Sequence, residues 1–192
     1  MATLDVLKGK DVVVFVRKLA DAKTKDGYLI PYQTDGDFDQ SKDSDSTSTK
    51  SGNVATVGNP TTDFSISVLD STDPILDVLE DSYYNNTKLE FWRVKLGKKD
   101  SSGKYFAHYM QGTISEDSQS ASSDDNAERE FTVSVDGTPK RGYTTIPETA
   151  QAQIDYLYKG VMKQTTDETG GGTAMTEIEM PTVPEEGKGE GK

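Results

Sequence analysis

Apolar residues recur at alternate positions along most of the chain, the period of a strand with one buried face. The run DVVVFVRKL (11–19) is rich in β-branched residues, and GYLIPYQT (27–34) reads as a second extended segment. Pro31 within it has no amide to donate, so it belongs near an edge or a bulge. NVATVG (53–58) and TDFSISVLD (62–70) resume the alternation, with Phe64, Ile66 and Val68 on one face. KLEFWRVKL (88–96) sets Leu89, Phe91, Arg93 and Lys95 against Glu90, Trp92, Val94 and Leu96. KYFAHYMQGTIS (104–115) and REFTVSVDG (129–137) follow, the second with Phe131, Val133 and Val135 inward and Glu130, Thr132 and Ser134 outward. The pattern predicts a mainly β fold.

Two segments depart from it. DPILDVLEDSYY (73–84) opens on Asp73, a good N-cap, with Pro74 at the first helical position, where its missing N–H costs nothing. Ile75, Leu76, Leu79 and Tyr83 then form a stripe at helical spacing, which predicts one amphipathic helix packed on the sheet. PETAQAQIDYLYKGVM (147–162) reads two ways: its first half suits a helical turn, its second a closing strand. VDGTPKRGYTTIP (135–147) carries turn signals and reads as a loop or hairpin. After Gln164 the chain is rich in Gly, Pro and Glu with little to bury, so residues 1–163 read as one β domain and 164–192 as an exposed, mobile extension.

The stretch QTDGDFDQSKDSDSTSTKSGN (33–53) is acidic and almost free of apolar residues, and it reads as a long loop between strands. An EF-hand loop needs oxygen ligands at alternate positions, Gly at the sixth and Glu at the twelfth. A register from Asp35 supplies Asp37 and Asp39 but puts Gln40 sixth and Ser46 twelfth; one from Asp43 supplies Asp45 but puts Ser48 sixth and Val54 twelfth. Both fail at the positions that make the site. A solvated Asp/Ser loop is the simpler reading.

Composition narrows the function classes. The 192 residues carry a formal net charge of -12, a poor balance for gripping nucleic acid, since phosphate binding needs Lys and Arg to displace counterions. With no cysteine there is no disulfide, thiolate metal site or cysteine nucleophile, and His108 as the sole histidine leaves little for a zinc site or a Ser-His-Asp triad. No phosphate-cradling or dinucleotide glycine pattern is present, and the residues nominate no catalytic site, metal or cofactor. The opening MATLDVLKGK lacks the apolar stretch of a secretory leader, and no window reaches the length of a membrane span. His108, between Phe106 and Met110 on an alternating strand, reads as a buried or interface histidine. Trp92, Tyr105 and Tyr109 read as core or interface aromatics, with sugar stacking the alternative.

Taken together, LDVLKGKDVVVFVR (4–17), Tyr32-Gln33-Thr34, SKDSDSTSTKSG (41–52), DFSISV (63–68), the Asp73-Pro74 helix start and FTVSVDGTPKRGY (131–143) resemble the major tail proteins, or tail tube proteins, of phages with long non-contractile tails that infect Gram-positive bacteria. The resemblance covers residues 1–162, and its most specific part is the loop ending Thr49-Lys50-x-Gly52. It implies a β-sandwich or open-barrel subunit with one flanking α-helix. Such subunits form hexameric rings that stack into a hollow tube for DNA. Its further partners would be a tape measure protein inside, a tail-tip initiator and a tail terminator. It would be a virion protein, held in the host cytoplasm before assembly, with no membrane step and no enzymatic activity.

On that reading Asp35, Asp37, Phe38, Asp39, Ser41, Lys42, Asp43, Asp45, Thr49, Lys50 and Gly52 belong to an arm that reaches a neighbouring subunit or ring. A bore for DNA is best lined by acidic and polar side chains that do not hold phosphate. Glu116, Glu128, Glu130, Thr132, Ser134 and Asp136 are the candidates, on polar faces of strands whose other face is apolar. The competing reading is a calcium- or carbohydrate-binding β-sandwich module in which Asp35, Asp37, Asp39, Asp43 and Asp45 surround an ion.

Overall fold

The computed structural model describes residues 6–155. Nine antiparallel strands make one sheet: β1 (Val12–Lys18), β2 (Tyr28–Leu29), β3 (Gln33–Asp35), β4 (Phe38–Thr49), β5 (Gly52–Leu69), β6 (Leu89–Lys99), β7 (Tyr105–Ser120), β8 (Glu128–Val135) and β9 (Lys140–Thr144). The path across it is β2-β1-β6-β7-β8-β5-β3, with β4 on β5 and β9 beside β8 along the same margin of β7. Two α-helices, α1 (Pro74–Asn85) and α2 (Glu148–Asp155), and two short 3-10 turns, Gly9–Asp11 and Leu19–Asp21, complete the described elements. A compact unit ends at Ala150, and a second begins at Gln151. The expected boundary at 163 and the 164–192 extension lie outside the described residues, as does most of the ambiguous segment after 155.

The sheet curls until β3, at one end of the path, reaches β1 near the other. Gln33, on β3, accepts a hydrogen bond from the Val14 amide at 2.9 Å and donates to the Val14 and Ile30 carbonyls at 3.0 and 2.7 Å. A side-chain amide thus replaces the ladder that a fully closed barrel would have. Pro31 sits where its missing donor predicts, in the turn between β2 and β3. The inward side chains are those the alternation marks: Val14, Val16, Phe64, Ile66, Val68, Phe91, Met110, Ile114, Phe131 and Val133 form one buried cluster.

α1 plugs this half-barrel. Asp73 caps it, its carboxylate accepting from the Ile75 amide at 2.9 Å. Asn86 ends it in the left-handed conformation that Asn tolerates. Leu76 and Leu79 enter the core as the stripe predicts, whereas Tyr83 is exposed. Ser82 takes the inward place, donating to the Thr87 carbonyl at 2.7 Å and accepting from the Ile114 amide at 3.1 Å. A bulky ring there would leave that strand amide unpaired. Arg129 fastens the helix to the sheet: buried, it donates to Asp117 through Nε at 2.8 Å and to Glu80 of α1 at 2.8 Å. These carboxylates raise its pKa further above the ordinary guanidinium value.

The largest departure from expectation is residues 33–53. They are strand, not loop: β4 and the first half of β5 pair from Phe38–Phe64 to Thr49–Gly52 around the two-residue turn Lys50-Ser51. The hairpin carries little apolar signal because solvent bathes both of its faces. Ser and Thr side chains stitch it instead, Ser41 to Thr61 at 2.8 Å and Ser48 to Asn53 at 2.6 Å. Thr49 closes the tip by donating to the Gly52 carbonyl at 2.6 Å, and Gly52 has φ +125°, which favours glycine.

Candidate functional site

Two surfaces stand out: the hairpin and one outward face of the sheet. The hairpin is rooted by Phe38, whose ring lies 6.1 Å from Phe64 and 4.9 Å from His108, with the Arg93 guanidinium 5.4 Å above it. Beyond this root β4 is exposed along its length, and twelve residues of strand reach roughly 40 Å. Its outer margin pairs with nothing among the described residues, so its free N–H and C=O groups are open to another chain.

The expected arm residues are strung along this projection. Asp35 ends β3 and accepts from the Gly36 amide at 2.7 Å, and the Asp37 carbonyl accepts from the Ser65 amide at 3.1 Å. Asp39 sits directly opposite Asp63, a like-charge pair that is unfavourable in an isolated hairpin. Ser41 and Lys42 face Thr61 and Pro60, the ladder shifts register beside Asp43, and Asp45 faces Thr56. Thr49, Lys50 and Gly52 make the tip. The aspartates do not converge: among the described residues no three His, Cys, Asp or Glu side chains are grouped to hold a metal ion. The calcium reading has no geometry to support it.

The second surface is the outward side of β5, β8 and β7. Directly paired residues share a face, giving the rows Asp63–Ser134–Thr113, Ser65–Thr132–Glu116, Ser67–Glu130–Ser118 and Leu69–Glu128–Ser120. Five of the six lining candidates therefore stand together, on a face whose rows contain no Lys or Arg. Asp136 lies just beyond β8 and is ion-paired to Lys88, so it is not a free carboxylate.

His108 is buried as expected, and no partner is found for its Nδ1. Desolvation lowers its pKa, assisted by Lys95, Arg93, Arg141 and Lys98. Trp92 and Tyr109 pack together at 5.5 Å, with the Arg17 guanidinium 5.0 Å above Trp92. Arg17 and Tyr109 both converge on Glu90, at 2.7 and 2.6 Å, so these aromatics belong to a saturated structural cluster.

Sequence reasoning missed the exposed valines of the return strand, Val54 and Val57, at 56% and 58% exposure. They look like ordinary strand residues until the hairpin is seen to stand clear of the body. It also passed over the lysines of RVKLGKK (93–99), whose clustering was visible but was absorbed into a strand assignment. No helix among the described residues is long and apolar enough to cross a membrane.

Comparison with known proteins identifies the fold and the family. The solved tail tube of SPP1 superposes with a TM-score of 0.68 at 20% identity, covering 86% of this chain and 98% of that one. A chain of the native gene transfer agent virion gives 0.53 at 13% identity, covering 73% and 100%. The tail of the empty gene transfer agent particle, refined with C6 symmetry, gives 0.53 at 14% identity, covering 73% and 100%. No curated protein matches. The family model for phage tail tube proteins matches residues 6–141, and the chain belongs to that family, whose members are structural components of the tail.

Proposed function

We propose that copies of this chain close into hexameric rings and that the rings stack into the tube through which phage DNA leaves the capsid. The observation that carries this reading is the β4–β5 arm: a long hairpin with a free margin, a like-charge pair at Asp39–Asp63 and exposed valines. Such a projection gains nothing in a lone molecule. In a ring or stack its open backbone groups and its valines are buried against identical copies. Sixfold symmetry in the gene transfer agent tail supports the ring number.

The cation-free rows of β5, β8 and β7 are the surface we assign to the bore. Glu116, Glu128, Glu130, Thr132 and Ser134 would keep a polyanion centred and mobile, because no Lys or Arg is present in those rows to hold phosphate. DNA then passes without specific binding. A tape measure protein occupies the bore during assembly, an initiator and a terminator meet the two ends, and the subunit waits in the host cytoplasm. In this scheme residues 1–163 are the tile and 164–192 an appendage. No step requires a cofactor or an enzymatic activity.

Replacing residues 41–61 by Asn-Gly would join Gln40 to Thr62, which are already paired, through a tight turn. The shortened protein should keep its fold by circular dichroism and lose tube formation in negative-stain micrographs. Tubes of normal length from this variant would refute the role assigned to the arm.

A further inference from the structure

Residues 93–104, the end of the β6–β7 hairpin around its turn, carry Arg93, Lys95, Lys98, Lys99 and Lys104 against a single carboxylate, Asp100. Asp100 is engaged locally, accepting from the amides of Ser102 and Lys104 at 2.9 Å each. None of the five cations has an ion-pair partner among the described residues. Lys98 and Lys99 instead rest over aromatic rings, 4.2 Å from Phe106 and 4.6 Å from Tyr105. In a chain with a net charge of -12, this is an unneutralised basic end.

The opposite end of the same strand has the opposite charge. β7 runs for sixteen residues, roughly 50 Å, from Tyr105, paired with Lys99, to Ser120. Past Ser120 come Asp124, Asp125, Glu128 and Glu130, all exposed. The cation nearest to them in sequence is Arg129, which is buried and already bonded to Asp117 and Glu80. Among the described residues Asp124 and Asp125 bond within their own turn, to Ser123 Oγ and the Asn126 amide.

We infer that the basic β6–β7 hairpin of one copy docks on the acidic β7–β8 turn of a second copy, with β7 spanning the ring from face to face. This rests on the stacked-ring reading above and names the contact between rings. Head-to-tail stacking alone brings the two ends of one molecule together. Head-to-head contact sets lysines against lysines, so the same charges that join the rings also fix the polarity of the tube.

Charge reversal tests this through rescue. Lys98→Glu with Lys99→Glu turns the hairpin tip at 98–100 acidic, and Asp124→Lys with Asp125→Lys turns the 124–125 turn basic, so in each variant the tip and the turn that would meet carry like charge. Each variant alone should form rings but elongate at least about tenfold more slowly than the wild type, as like charges meet at every junction. An equimolar mixture should recover long tubes with alternating rings, and so should a chain bearing all four changes. Wild-type elongation should also slow as salt is raised from about 0.05 to 0.5 M. Normal elongation by either variant, failure of both rescues with folding intact by circular dichroism, or elongation indifferent to salt overturns the inference. Absence of rings in the wild type would instead count against the stacked-ring reading.

Discussion

The side-chain amide of Gln33 satisfies both backbone groups of Val14, accepting from its N–H at 2.9 Å and donating to its C=O at 3.0 Å. One polar side chain thereby stands in for a rung of β-ladder, between strands that are nineteen positions apart along the chain. The contact turns an open, twisted sheet into a curled body with a floor for α1. Gln33→Leu removes these bonds and the one to the Ile30 carbonyl; the Val14 C=O keeps the Ile30 amide at 3.1 Å, while the Val14 N–H and the Ile30 C=O lose the partner Gln33 supplied. Each of these two losses costs about 1–3 kcal/mol, so the urea midpoint should drop by an amount corresponding to at least about 2 kcal/mol in total. An unchanged midpoint would show that closure rests on packing alone.

Arg129 and Asp117 predict an asymmetry between single and double substitutions. Both side chains are buried, at 6% and 8% exposure, and Asp117 is held by two guanidinium nitrogens. Arg129→Met strands the carboxylate and should destabilise by about 3–5 kcal/mol. Asp117→Leu added to it should restore a large part of that loss. Thermal melts of the two proteins decide the matter, and equal losses would contradict a buried pair.

His108 predicts a pH window. Its folded pKa lies below the unperturbed value near 6.5 because burial and the cations Lys95, Arg93, Arg141 and Lys98 oppose its protonation. Above 6.5 both folded and unfolded chains hold it neutral, and its contribution to stability is complete. As pH falls below 6.5 the unfolded chain binds a proton that the folded one resists, so stability is lost until the folded pKa is passed. His108→Phe, between the rings of Phe38 and Phe106, should flatten the decline that sets in below pH 6.5. An identical slope in both proteins would assign the decline to carboxylates.

Thr132 tests the surface assigned to the bore. The chain has no cysteine, so Thr132→Cys introduces a unique thiol on a face lined by Ser65 and Glu116. Subunits biotinylated there should bind streptavidin freely before assembly and be shielded from it within intact tubes, except at the ends. Streptavidin decorating the whole tube length would place this face outside.

How much of this was legible follows from where water lies. Phe64, Ile66, Val68, Phe131 and Val133 announce their strands because one face is dry and the other wet. The Asp73 cap and Pro74 announce α1 by chemistry that needs no neighbours. Phe38 to Gly52 announced nothing regular, because both faces of that hairpin are wet and period two has no contrast to show. Tyr83 and Ser82 exchange roles because the Ile114 amide needs a hydroxyl partner, a demand that comes from a strand thirty-two positions away. The polar alternation of β8 could nominate Glu128, Glu130, Thr132 and Ser134, but only the ladder register shows that Glu116 joins them and that Asp136 is paired with Lys88.

The most direct test of the account is electron microscopy of the purified, concentrated protein. Hollow tubes with sixfold end views, their lengths growing with protein concentration, are the predicted result. A monomer that persists at every concentration and salt, with its β4 margin still open to solvent by hydrogen exchange, would contradict it.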